Sequence, residues 1–269
     1  MSDEVEPTHI YLDEIDSTNE ELKRRYHSDN KPENYTVISA GHQTAGKGRS
    51  GHQWKSPEHD SVATSMMIYP ELDIQNIPRL TILSGMAVAA AIERLYQIPT
   101  QLKWPNDVLI RQHKVCGILC EMEASHNQAD YVIIGIGVNV HQREFPEEIR
   151  EIATSVDLEL EAPSHRDMDG NVNHAKASRQ AIDHQIWREF LRLYQKFKET
   201  EDLTLLLEEY NQRLINRNKT VRVLNPKGEY EGTSLGIDAQ GNLLVQKKDD
   251  SIVKVDSGEV SVRGVYGYV

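Results

Sequence analysis

LKWPNDVLI (residues 102–110), KVCGILCEMEA (114–124) and DYVIIGIGVNV (130–140) follow one another with only short polar breaks between them. Runs of this length, rich in Val, Ile and Leu, read as strands of a sheet layered against helices. Upstream, IPRLTILSGMAVAAAIERLY (77–96) has apolar residues at helical spacing and an Ala-rich face suited to close packing, so it is expected to be a central buried helix. SVATSMMIYP (61–70) and YTVISA (35–40) read as further strands, and HIYLDEIDSTNEELKRRY (9–26) as strand, cap and helix.

Downstream, the pattern turns helical from about 147 to 214, most clearly in IWREFLRLYQKF (186–197) and LTLLLEEYNQRL (203–214), with a polar connection at 162–178. Past Asn216 to Asn218 the periodicity switches from helical to alternating. TVRVLN, EYEGTSLGI, NLLVQKK, IVKVD and VSVRG are short strands with turn residues between them, which predicts a small antiparallel barrel. The switch places a boundary between units 1–217 and 218–269.

Composition excludes several classes. A chain of 269 residues can bury roughly 75% of the surface it exposes when unfolded, so it needs neither disulfides nor a structural metal. Its net charge is −12, and no basic block offsets it, which argues against DNA or another polyanion as partner. The first ten residues, MSDEVEPTHI, are acidic and carry no apolar run, so neither a signal peptide nor a transit sequence is expected. No apolar stretch approaches the about 20 residues of a membrane span. A cytoplasmic protein without membrane attachment is the expectation. Cys116 and Cys120, two pleats apart on one strand, read as reduced thiols. The His residues are dispersed without metal-ligand spacing.

Three loops concentrate chemistry. Gly41 to Lys47 spells G-x-x-x-x-G-K, but Gly48 stands where a phosphate loop needs Ser or Thr, and RSGHQ cannot open a helix. What is left is a flexible loop whose Lys47, Arg49 and backbone N–H groups could close on an anion. LKWPNDVLI gathers Lys103, Trp104, Asn106 and Asp107 around Pro105 at a break between strands. Lys114 enters the next strand, with Gly117 allowing close backbone approach. Asn139 is a polar residue in an apolar run and, if buried, needs a partner. Ser17 or Thr18, three residues before Glu20 or Glu21, also reads as a capping box.

DSTNEEL, GHQTAGKGRSGHQW, LKWPNDVLI, KVCGIL and GIGVNV, in this order and spacing, closely resemble the catalytic domain of biotin-protein ligases, and GEVSVRG resembles the end of their small Src-homology-3-like domain. The resemblance implies an α+β fold: a mixed sheet flanked by helices, of the kind shared with class II aminoacyl-tRNA synthetases, then the barrel. It implies that ATP, carrying Mg²⁺, activates biotin as biotinyl-5′-AMP, which is then passed to a Lys of a biotin carboxyl carrier domain. By the same resemblance Ser17, Thr18, Asn19, Gln43, Gly46, Lys47, Gly48, Arg49, Lys114 and Gly117 bind biotin. Trp54, Asn106, Asn139 and Lys103 meet the nucleotide, and Lys114, Lys103, Arg49 and Asp107 act on the reacting groups. Protein ligands for the metal are left unassigned.

The loop departs from the commonest family pattern, GRGRRG. Lys47 loses the bidentate fork of Arg and Ser50 loses a charge, which predicts a looser hold on the adenylate. Some relatives carry an N-terminal DNA-binding domain. Only 16 residues precede Ser17 here, so repressor function is not expected, and a homodimer is compatible with the sequence. A lipoate or octanoate ligase on a related fold, and a noncatalytic biotin-binding module, are the competing readings.

Overall fold

The computed structural model describes residues 6–55, 57–162, 176–224, 228–257 and 261–264. Seven strands form the main sheet: β1 (Thr8–Ile15), β2 (Thr36–Gln43), β3 (Ser61–Ile68), β4 (Gln101–Lys103), β5 (Asp107–Ile110), β6 (His113–Ser125) and β7 (Gln128–Asn139). Their order is β1-β2-β3-β7-β6-β5-β4. Only β1 and β2 run parallel, and every other neighbouring pair is antiparallel, so the sheet is mixed as expected.

Alternation along β7 explains the layering. Val132, Ile134, Ile136 and Val138 join the main core under α2 (Arg79–Tyr96) and α4 (Arg179–Thr200), while Tyr131 and Ile133 pack with Leu22 of α1 (Thr18–Tyr26) on the opposite face. Farther along that second face β7 carries Gly135 and Gly137, and α1 begins over Gly135, where the Asn19 side chain lies. Side-chain volume therefore runs out beyond the helix start, and a cavity opens. The core side is filled by large groups such as Trp187, Phe190 and Phe197, each fully buried and each worth about 1.5–3 kcal/mol of apolar burial.

Several sequence expectations are corrected. Ser17 has the extended backbone of an N-cap, but its side chain makes no capping bond. Glu20 and Glu21 turn instead to Lys and Arg partners, which outcompete a reach back to the cap. The segment expected to be helical from 147 begins as turns, followed by the short α3 (Val156–Leu160) under its Ser155 cap. The amphipathic run at 203–214 divides into a 3₁₀ turn, Thr204–Leu206, and α5 (Leu207–Arg213). The polar connection falls outside the described residues at 163–175, as do the first three residues of GEVSVRG.

A second sheet starts at Thr220: β8 (Thr220–Leu224), β9 (Tyr230–Ile237), β10 (Leu243–Gln246), β11 (Ile252–Val255) and β12 (Ser261–Gly264), all antiparallel in the order β11-β10-β9-β8-β12. Among the described residues the ladder is open, with no β11–β12 pairing. It is tied to the first unit by backbone groups. Trp104 Nε1 donates to the Gly241 carbonyl at 3.0 Å, and the Leu203 N–H to the Ala239 carbonyl at 2.9 Å.

Candidate active site

Antiparallel register sets the geometry of the site. Lys103 of β4 pairs with Asp107 of β5, Asp107 with Gly117 of β6, and Gly117 with Gly137 of β7, so one row of residues crosses four strands on one face. Two charged groups stand at one end of the row and bare backbone lies at the other. Gly135, two residues before Gly137, extends the bare strip. The space above it is a cavity of about 410 Å³.

The glycines are required by close approach. A Cβ at Gly137 would collide with Trp54 Cε2, one at Gly135 with Asn19 Oδ1, and one at Gly117 would lie 3.3 Å from Lys114 Nζ. Trp54 thus lies flat on the floor between Gly117 and Gly137, held there by a short hairpin in which its N–H donates to the Gly46 carbonyl at 3.0 Å and Lys47 pairs with Gln53. Such a floor can accept a flat ring in place of the indole.

The start of α1 supplies polar groups at the apolar end. Gln43 Oε1 accepts from the Thr18 N–H at 2.8 Å and from its hydroxyl at 3.0 Å, and that hydroxyl lies 2.6 Å from Ser65 Oγ. Ser65 donates to Asn19 Oδ1, and Asn19 Nδ2 donates to Glu121 Oε2 at 2.7 Å. Because Ser17, Thr18 and Asn19 are each under 5% exposed, these directions are fixed before any ligand arrives.

Cations gather at the other end. Lys114 Nζ pairs with Asp107 at 2.7 Å. Arg49 donates to Asn106 Oδ1 at 3.0 Å and to the Ser257 carbonyl at 2.5 Å, while Asn106 Nδ2 donates to the Ile118 carbonyl at 3.2 Å. Burial lowers the Lys103 ammonium to about 8; Lys114 and Arg263 add to the shift and Asp107 opposes it. Burial also lowers Arg49. Among the described lining residues Asp107 is the single carboxylate, against Lys47, Arg49, Lys103, Lys114 and Arg263. A site so composed suits a polyphosphate, and its one carboxylate is not a donor set for a resident divalent ion. Any Mg²⁺ would enter as part of the nucleotide substrate.

Thirteen of the residues singled out from sequence line this cavity: Ser17, Thr18, Asn19, Gln43, Lys47, Gly48, Arg49, Trp54, Lys103, Asn106, Asp107, Lys114 and Gly117. Two do not. Asn139 lies outside the lining and donates to the Thr154 carbonyl at 3.0 Å. It is buried, and its bond holds the segment whose Ala153 bridges Lys114. Gly46 is buried beneath Gln43 and Trp54 at the base of the loop. Sequence reading missed Gly135 and Gly137, although their two-residue spacing opposite Ile134 and Ile136 marks a side-chain-free strip. It also missed Ser65 and Glu121, which carry no local motif, and Arg263, which the GEVSVRG resemblance contained without assigning it to the site. Cys116 is held well above the ordinary thiol range and Cys120 is pushed up to about 12, both chiefly by burial, so neither is a thiolate.

Residues 11–139 match the biotin/lipoate A/B protein ligase family, and residues 218–263 match the biotin protein ligase C terminal domain. The chain is 35% identical to the bifunctional ligase/repressor BirA of Bacillus subtilis over 267 residues, 97% of this chain and 76% of that one. It is 31% identical to the biotin–[acetyl-CoA-carboxylase] ligase of Mycobacterium tuberculosis over 230 residues, 83% of this chain and 77% of the relative. The biotin protein ligase from Aquifex aeolicus in complex with biotin and ATP superposes with a TM-score of 0.80 at 29% identity, covering 96% of this chain and 99% of that one. With the fold, both sequence units and a similarity that spans 97% of the chain in agreement, the chain belongs to the biotin protein ligase family.

Proposed function

We propose that this protein activates biotin with ATP in the cavity above Gly135 and Gly137 and passes it to a Lys of a biotin carboxyl carrier domain. In the first step a carboxylate oxygen of biotin attacks the α-phosphorus, the bond to the bridging oxygen breaks and pyrophosphate leaves. In the second the acceptor amine attacks the acyl carbon, AMP departs with the anhydride oxygen and the amine loses a proton. Both steps build or move negative charge on phosphate oxygens, so prepositioned cations are the main catalytic resource.

The observation that carries this reading is the arrangement of the Lys103–Asp107–Gly117–Gly137 row, with Lys114 beside it. Thr18, Asn19 and Gln43 offer donors and acceptors to the polar ring of biotin, the glycine floor gives room to its fused rings, and its chain points the carboxylate toward Lys114. Lys103 and Arg49 then meet the phosphates, Asp107 orients Lys114, and Trp54 and Asn106 serve the nucleoside. Residues 1–217 act as the ligase unit and 218–269 as a smaller unit that lends Arg263 to the cavity. With a net charge of −12, operator DNA is not among the proposed partners.

Incubating the protein with MgATP and either biotin, lipoic acid or octanoic acid, and following pyrophosphate, tests the substrate. Release with biotin alone is expected, and release only with another acid overturns the reading. Mass spectrometry of an acceptor Lys tests the transfer. Lys114→Ala should slow adenylate formation about a hundredfold, on the order of 3 kcal/mol, while biotin still binds. Unchanged turnover would remove Lys114 from its role.

A further inference from the structure

Lys47 is the first cation of the glycine loop, and its ammonium does not point at the cavity's phosphate end. It pairs at 2.7 Å with Glu20 Oε1 in the first turn of α1. The same oxygen takes Lys23 Nζ at 2.9 Å, and Lys23 also reaches Glu121 Oε1 at 2.7 Å. Glu121 Oε2 accepts from Asn19 Nδ2 on the cavity floor. A continuous polar chain thus runs from the loop, Lys47, through Glu20, Lys23 and Glu121, to Asn19. It holds two ammonium groups and two carboxylates, and so is neutral as a whole.

Among the described side chains of the loop tip, Lys47 is the one bonded to α1. The loop's stem is tied to the chain before α1 by the Thr44 N–H to the Ile15 carbonyl at 2.9 Å and the Ala45 N–H to the Asp16 carbonyl at 2.8 Å, while past Gly46 the backbone bonds are internal: Gly48 N–H to the His52 carbonyl at 2.7 Å, and Trp54 N–H to the Gly46 carbonyl at 3.0 Å. A second side chain of the loop, Arg49, faces the opposite wall at Asn106 and Ser257. Hydrogen bonds from Lys47 and Lys23 hold the Glu20 carboxyl below its ordinary value, so it is charged at neutral pH. A Lys suits this contact better than a family-type Arg would require, because one ammonium approaches one shared oxygen and no bidentate fork is used.

We propose that Glu20 is a positioning residue for the ligase reaction: it docks the glycine loop on α1 through Lys47 and so retains the adenylate between its formation and its transfer. The inference rests on the function proposed above. Glu20 does not line the cavity and meets no substrate. Its effect is on how long the loop stays down, not on the chemical step.

The full-length protein carrying Glu20→Gln keeps the size of the side chain and removes the charge. Biotinyl-AMP formed from biotin and MgATP is chased with unlabelled biotinyl-AMP, and its release rate is compared at low and high salt. Glu20→Gln should release adenylate about three to five times faster than the native protein at low salt, the range of an exposed ion pair, and the difference should shrink at high salt. Pyrophosphate release in the first turnover should match the native rate. Lys47→Glu should also release faster, and the exchanged pair Glu20→Lys/Lys47→Glu should recover part of the loss. Equal release rates for native and Glu20→Gln, or an exchanged pair no slower than Lys47→Glu alone, overturn the proposal. A fall in first-turnover pyrophosphate release with unchanged adenylate release also overturns it, as a merely structural role. A native protein that forms no adenylate refutes the function itself, a separate outcome.

Discussion

Lys103 is 7% exposed at the charged end of the cross-strand row, and its environment makes pH a probe of the site. Burial lowers it from 10.5 to about 8, with Lys114 and Arg263 in support and Asp107 in opposition. Between about pH 8 and 10.5 the unfolded chain binds the proton that the folded chain has lost. Stability from this group therefore rises with pH through that window, and the cost of burying the ammonium is carried in full below it. Activity should move the other way. The cation is present below about pH 8 and lost above it, so kcat/KM for ATP should fall as pH climbs through that value. Lys103→Arg should carry the fall to higher pH, because guanidinium stays charged. A profile identical in native and variant proteins would mean that Lys103 does not meet the phosphates. The identities of Lys103, Lys114 and Asp107 as site residues were legible in the sequence because they crowd a Pro-containing break. The lowering of Lys103 was not, because it depends on burial and on a register that brings residues from separate strands into one row.

Among the elements, β6 and β7 decide the shape of the cavity. Their ladder sets Gly117 opposite Gly137, and the indole of Trp54 lies on both. Gly137→Ala puts a methyl where Trp54 now rests, so the indole must shift off the floor. Biotin affinity should drop about tenfold, or about 1.4 kcal/mol, with the circular-dichroism spectrum unchanged. Calorimetry with biotin checks this, and native affinity in the variant would show that the ligand does not use the floor. The strands were readable from their alternation, and the glycine loop from its composition. The boundaries of α3 and α5 were not, because short amphipathic runs take their ends from tertiary contacts such as the Leu203 N–H to the Ala239 carbonyl.

Across the whole molecule, the smaller sheet is joined to the ligase unit at a few buried polar contacts. Asn211 of α5 accepts from the Ile237 N–H at 2.8 Å and donates to its carbonyl at 3.2 Å, so it satisfies both backbone groups of one β9 residue. Asn211→Ala leaves both without their partner in a buried setting. It should cost about 2 kcal/mol, seen as a lower midpoint in thermal or urea unfolding. A native midpoint would mean that water or a rearranged neighbour replaces the amide. The same junction brings Arg263 to the cavity and the Ser257 carbonyl to Arg49. An acidic chain thereby acquires a local cationic site, in which Arg49, Lys103, Lys114 and Arg263 stand with one carboxylate while the molecule as a whole carries −12.

The sequence by itself determined the alternation that makes strands, the amphipathic helices, the loop chemistry and the family resemblance, because each is written in neighbouring residues or in ordered motifs. Only the tertiary structure decided that Asn139 turns to Thr154, that Glu20 holds Lys47, that Gly135 and Gly137 form a floor and that Arg263 joins the site. Those contacts link residues distant in the chain, and strand register and helix ends, which no local pattern encodes, set which of them meet.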